Sequence, residues 1–71
     1  MAVNVEAHIT GTIFKVETEV GATVSAGDVL VILESMKMEM PVEAPSAGRV
    51  TKVCVEEGQS VEEGETLVVL E

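Results

Sequence analysis

The residue best suited to chemistry in this chain of 71 residues is a lysine that lies between two methionines. Residues 35–41 read SMKMEMP, and apart from Met1 every methionine of the chain falls within this segment. Lys37 at its centre is the only cation between Lys15 and Arg49. A lysine at a turn is ordinarily a solvated charge. A single amine between two soft apolar side chains, however, is presented in a way that another protein could find.

The same segment is unusual as a connection between two strands. Tight hairpin turns favour Asn-Gly, Asp-Gly or Gly-Gly because φ must be positive, yet residues 35–41 contain no Gly, Asn or Asp. Such a break in local rules is typical of functional or strained sites. Alternating methionines can also be the inward side chains of a strand, and we expect this of Met40, since methionine fills gaps in cores. Met36 and Met38 would have little core to reach at a hairpin tip.

The other residues that could do chemistry are too few to form a site of another kind. Cys54 is the only cysteine and His8 the only histidine, so no disulfide forms within the chain and a four-ligand zinc site would need carboxylates. Phe14 is the only aromatic residue, which excludes an aromatic pocket. No convincing set of nucleophile, base and orienting group is present. We therefore expect no catalytic residues, no metal site and no stand-alone enzyme.

Charge and hydropathy limit the partners and the location. The net charge is −9, from 13 acidic and four basic residues, which argues against binding to nucleic acid or to an anionic membrane surface. The apolar runs are far too short to span a membrane, so we expect neither a membrane span nor a signal peptide. A lone cysteine suits a reducing compartment, so the cytoplasm is the expected location.

The elements that must position Lys37 come from two copies of one unit. The six glycines lie at 11, 21 and 27 and again at 48, 58 and 64, so a shift of 37 residues superimposes them. The match extends over residues 5–34 and 42–71, with 14 identities in 30 positions. Residues 35–41 connect the two copies, and the chain is predicted to form one domain over residues 1–71.

The repeat predicts an all-β fold. Val, Ile and Thr make up 23 of the 71 residues, which favours strands. Short apolar segments separated by turn residues predict eight short strands. We expect them to form a flattened barrel or sandwich of two four-stranded antiparallel sheets, related by a pseudo-twofold axis. The predicted strands cover residues 5–9, 11–18, around 24, 29–34, 42–44, 48–55, around 61 and 66–71. Ile13 and Val16 cannot both point inward along one straight strand, so a bulge or strong twist is expected there.

Residues 34–39 (ESMKME), set in this duplication, resemble the attachment motif of biotinyl domains. The resemblance covers essentially the whole chain and is to the biotin/lipoyl attachment domains, in particular the free-standing biotin carboxyl carrier proteins of bacteria. It implies that Lys37 accepts biotin from biotinyl-adenylate. Met36 and Met38 would then help a biotin protein ligase and the carboxylase domains to recognise the tip, and Glu34 and Glu39 could contribute.

The same resemblance implies the partners of a carrier. Attached biotin would move between a biotin carboxylase and a carboxyltransferase, and the protein itself, expected to be a monomer, would make no bond. One departure is Ser35, where the family usually has alanine.

Two other functions stay open at the sequence level. Lipoyl domains of the same fold usually place Asp before and Ala after the lysine, so the two methionines favour biotin, although one carrier could accept both groups. Hairpin domains of this shape also occur in transport adaptors, where the lysine is not modified. That alternative gives no reason for Met-Lys-Met.

Overall fold

A computed structural model describes residues 2–71, and all its regular structure is β-strand. The eight strands are β1 (Val3–Glu6), β2 (Gly11–Val16), β3 (Thr23–Val24), β4 (Val29–Ser35), β5 (Met38–Glu43), β6 (Gly48–Val53), β7 (Ser60–Val61) and β8 (Thr66–Leu70). Within residues 2–71 we find no helix of the length and apolarity needed to cross a membrane. The prediction of an all-β chain is confirmed.

The strands form two four-stranded antiparallel sheets, in the orders β1-β8-β6-β3 and β5-β4-β2-β7. Moving each strand to its counterpart in the other repeat (β1 to β5, β2 to β6, and so on) converts one order into the other. The predicted pseudo-twofold relation is therefore confirmed. Each sheet takes two strands from each repeat, because β1 pairs with β8 and β4 pairs with β5. Neither repeat can complete a sheet alone.

The core between the sheets is aliphatic and follows the repeat. Fifteen hydrophobic residues are buried, and no polar residue among residues 2–71 is. All but Val55 form pairs separated by 37 positions, such as Leu30 and Leu67, which are both fully buried. The two repeats thus contribute equivalent side chains to one core.

The irregularity expected in the second strand is present. In the pairing of β2 with β4 the register shifts between Ile13 and Lys15, which leaves Phe14 without a partner and half-exposed. Val16 then packs against the core. The pairing of β6 with β8 shifts in the same way between Val50 and Lys52. The bulge is therefore confirmed, and it occurs once in each repeat.

Two strand boundaries differ from those predicted. The first strand is Val3–Glu6 and not 5–9, because its pairing with β8 begins at Val3, opposite Leu70, and ends at Glu6, opposite Thr66. The fifth strand is Met38–Glu43 and not 42–44, because it pairs with β4 as far as Met38. The remaining predicted strands end within two residues of the observed ones. The single domain predicted over 1–71 includes Met1, which lies outside the described residues.

Candidate functional site

Strands β4 and β5 form a hairpin that ends in a two-residue loop. Ser35 pairs with Met38, so only Met36 and Lys37 connect the strands. Their φ angles are 53° and 64°, and the type I′ turn requires positive φ at both of its central residues. Met36 and Lys37 therefore adopt a backbone conformation that is usually found in Asn-Gly turns. A strained or functional turn was expected here, because residues 35–41 contain no Gly, Asn or Asp.

This conformation is costly for side chains that carry a Cβ. The left-handed region costs such residues about 1–2 kcal/mol each, so the surrounding structure must impose it. The hairpin is well suited to do so, since β4 pairs with β5 on one side and with β2 on the other. Strain of this kind concentrates at functional sites.

Relieving the strain at Met36 is expected to stabilise the protein. Asn tolerates the left-handed region better than Met, so Met36→Asn should raise the free energy of unfolding in urea by about 0.5–1 kcal/mol. Met38→Asn is the matched control, because Met38 lies in strand β5 with no positive φ and Asn has low strand propensity. A gain from Met38→Asn, or none from Met36→Asn, would contradict a strained loop.

The loop presents its side chains to solvent. Met36 is 92% exposed and Met38 64% exposed, and Lys37 is exposed as well. Met40 lies opposite the buried Leu33 and is half-buried, so it is the least exposed of the three methionines, and its expected role as a core side chain stays a prediction. Two large apolar side chains therefore lie in water beside one amine, outside the core.

Two carboxylates flank the loop on the outer face of the hairpin. Glu34 and Glu39 lie directly opposite one another, and both are exposed. Like charges in facing positions destabilise a strand pair, so this arrangement is not one that stability alone would favour. Thr12 of β2 is the next neighbour of Glu34 across the sheet. Sequence analysis assigned no role to Thr12 or to Gly11, which the fold brings beside the base of the loop.

Lys37 has the features that a covalent attachment site needs. Within residues 2–71 its side chain takes part in no hydrogen bond or ion pair, so a modifying enzyme would not have to break one. By contrast Lys15 is paired with Glu17 at 3.5 Å. The exposed loop thus fits a prosthetic group joined through the amine. Cys54 faces solvent, and the described residues contain no group of three or more potential ligands that could hold a metal ion.

Comparisons with known proteins agree with this geometry. The biotin/lipoyl family, described as "Biotin-requiring enzyme", matches residues 1–70. The "Biotinylated protein TB7.3 homolog" of Mycobacterium leprae is 50% identical over 42 residues, which is 59% of this chain and 59% of that protein. The match therefore spans about three fifths of this relative. The "Biotin-dependent acyl-coenzyme A carboxylase alpha3 subunit" of the same organism is 53% identical over 38 residues, 54% of this chain and 6% of that one.

Solved structures show the same fold inside much larger chains. A single-chain, multi-domain long-chain acyl-CoA carboxylase superimposes with a TM-score of 0.91 at 40% identity, over 96% of this chain and 7% of the other. The urea carboxylase of Kluyveromyces lactis gives a TM-score of 0.94 at 37% identity, over 100% of this chain and 6% of the other. Sequence, fold and loop geometry agree, and the chain belongs to the biotin-requiring family of biotin/lipoyl attachment domains.

Proposed function

We propose that this protein is a biotin carboxyl carrier: a biotin protein ligase attaches biotin to Lys37, and the carrier serves a biotin carboxylase and a carboxyltransferase of an acyl-CoA-type carboxylase. The observation that carries the proposal is the Met36-Lys37 loop, which holds one free amine at the tip of a rigid hairpin. The relatives that are named as biotinylated or biotin-dependent proteins support it.

The attachment step uses Lys37 as the nucleophile. Its ammonium must first lose a proton to a base of the ligase, since only the free amine has a lone pair. The amine nitrogen then attacks the carbonyl carbon of biotinyl-adenylate, so that an amide C–N bond forms and the C–O bond to phosphate breaks. AMP leaves with the electron pair of that bond. The carrier supplies the nucleophile and its position, and the ligase supplies the catalysis.

The carrier's own contribution after attachment is to hold the group and deliver it. Bound biotin supplies the atom that carries carboxylate from one partner enzyme to the other. Tethering at Lys37 raises the effective concentration of that group at each partner site. The hydrogen-bonded hairpin beneath the loop keeps the point of attachment fixed in the carrier, so only the lysine side chain and the group on it need to move.

The residues around Lys37 are proposed to be read by the partners. Met36 and Met38 offer exposed apolar surface, and Glu34 and Glu39 add two facing carboxylates at the base of the loop. Exposed methionine side chains and facing carboxylates both lower the stability of the folded chain. This loss of stability supports a role for these residues in recognition. With a net charge of −9, association is expected to slow as ionic strength rises, because partners with basic rims would be steered to the carrier.

The proposal also includes the oligomeric state and the location of the protein: a monomer in the cytoplasm.

Mass spectrometry of the intact chain tests the proposal directly. The chain is expressed separately with biotin protein ligase and with lipoate ligase, and modified peptides are then mapped. One biotinyl group on Lys37 is the expected result. A lipoyl group alone would move the function to lipoate-dependent chemistry on the same fold. No modification by either ligase would contradict both carrier functions and favour an unmodified binding module.

A further inference from the structure

We infer that Gly11 is a positioning residue for Lys37: the absence of a Cβ at this position lets the attachment hairpin sit at the place where the ligase meets it. The inference rests on the proposed function, because it concerns the delivery of the Lys37 amine. Gly11 is remote from Lys37 in sequence and opens strand β2, which runs beside the hairpin strand β4.

The geometry at Gly11 leaves no room for a side chain. A Cβ at this position would lie 2.6 Å from the backbone carbonyl oxygen of Glu34 and 3.3 Å from the Cβ of Ser35. The first distance is well inside van der Waals contact, and a backbone oxygen cannot swing away as the end of a flexible side chain could. Four glycines of the chain have positive φ, but Gly11 does not. Close approach of two strands, and not backbone conformation, is therefore the reason for glycine here.

A Cβ at Gly11 would force strands β2 and β4 apart at the base of the loop. Strand β2 is held on its far side by β7, where Gly11 pairs with Val61 and the Ile13 N–H donates to the Gln59 carbonyl at 2.8 Å. Strand β4 is held on its far side by β5, and β5 and β7 are the two edge strands of this sheet. Whichever side moves, the gap opens between β2 and the hairpin at Glu34 and Ser35, so the loop changes its place relative to the rest of the sheet.

A shift of this kind would be passed directly to the attachment site. Glu34 and Ser35 are the last two residues before the loop, and the loop contains only Met36 and Lys37. A group transfer depends on alignment of the attacking atom, and a misplacement of about 1 Å can lower the rate about 100-fold. Gly11 thus acts on Lys37 through the backbone of Glu34 and Ser35 and does not contact the reacting atoms.

The duplication provides a matched control at Gly48. This residue is the counterpart of Gly11 in the second repeat, and a Cβ there would lie 3.0 Å from the carbonyl oxygen of Glu71. Glu71 follows the end of strand β8, which belongs to the sheet that does not contain the attachment hairpin. The same substitution at Gly48 therefore crowds an equivalent strand pair without displacing Lys37.

The test compares Gly11→Ala and Gly48→Ala with the unmutated chain. Urea unfolding at the assay temperature first establishes that all three proteins are folded. The kcat/KM of biotin ligase for each protein is then measured at the same temperature. We expect a loss of about tenfold or more for Gly11→Ala and less than about twofold for Gly48→Ala. Methyl NMR spectra of unmodified protein provide a readout that does not depend on the ligase. The Met36 and Met38 methyl signals should shift in Gly11→Ala and stay in place in Gly48→Ala.

Each possible result bears on one claim. Equal ligase rates and unshifted methyl signals in the two variants would overturn the positioning role. Complete unfolding of Gly11→Ala would also overturn it, because the glycine would then serve global stability. If the unmutated chain itself accepted no biotin, the proposed function would fail instead, while the NMR comparison would still report whether Gly11 places the loop.

Discussion

Replacing Lys37 by arginine is expected to abolish covalent modification completely while leaving the fold intact. Arginine keeps the positive charge and similar length, but its guanidinium remains protonated and cannot attack an acyl group. Lys37 is exposed and is joined to the described part of the chain by no hydrogen bond or ion pair of its side chain, so Lys37→Arg should change the unfolding free energy by less than about 0.5 kcal/mol. Intact mass after expression with biotin ligase should equal that of the unmodified chain.

Two other lysines provide the controls for this substitution. Lys15 and Lys52 occupy equivalent positions in the two repeats, and both lie on strands and not in the loop. Lys15→Arg and Lys52→Arg should each leave one biotinyl group per chain. Biotin on the Lys37→Arg protein, or its loss from either control, would show that the ligase does not select the lysine by its place in the hairpin loop.

Truncating a central leucine is expected to have the largest effect on stability. Leu30 and Leu67 are fully buried counterparts in β4 and β8, and Leu→Ala at such sites costs about 2–5 kcal/mol. A domain of this size has little stability to lose. At about 4–8 °C for each kcal/mol, either variant should have a melting temperature lower by at least about 10 °C. Urea unfolding of both variants measures the loss.

The duplication makes the comparison of these variants more informative than either alone. Because Leu30 and Leu67 contribute equivalently to one core, their losses should agree within about 1 kcal/mol. Val20→Ala is the surface control, since Val20 is 63% exposed and its truncation should cost less than about 0.5 kcal/mol. A large difference between the two leucine variants would show that the symmetry of the backbone does not extend to packing energetics.

The fold could be predicted from the sequence because the repeated residues include the turn glycines and the buried side chains, which determine the structure. The turn glycines at 21, 27, 58 and 64 all have positive φ, so their spacing reports where the chain reverses. The buried positions repeat with the same period, which indicates two equivalent layers. The bulge at Phe14 followed from Ile13 and Val16, whose separation does not fit a straight strand.

Strand ends and pairings between the repeats could not be predicted in the same way. Alternation of side chains reports which face is buried but not which strand lies next to it. The extension of β5 back to Met38 depends on its ladder with β4, and the alternating methionines of residues 36–40 do not show where the strand begins. Likewise, the bounds of β1 follow from its pairing with β8 of the other repeat, from Val3 opposite Leu70 to Glu6 opposite Thr66.

Some features of the candidate site could be predicted from the sequence, and others depend on how the strands pair. Lys37 and its methionines could be identified because their types and spacing are unusual and resemble a known motif. That Glu34 and Glu39 face each other follows only from the hairpin register. The close approach of Gly11 to Glu34 was also missed, because the six glycines were used only to identify the repeat. Its position inside a strand was the available signal, since such glycines mark close backbone contacts.

The pairing of β1 with β8 has a topological consequence. Val3 pairs with Leu70 in the register in which Met40 pairs with Leu33, and both positions are shifted by 37. The space between Glu71 and Ala2 is therefore the rotational counterpart of the Met36-Lys37 loop, on the other side of the pseudo-twofold axis. Met1 is the counterpart of Met38 at the separation of 37, so a Ser-Met-Lys linker from Glu71 to Met1 would reproduce the sequence of residues 35–38 and close the backbone into a ring. Such a circular protein would have no chain ends and would present two acceptor amines facing in opposite directions.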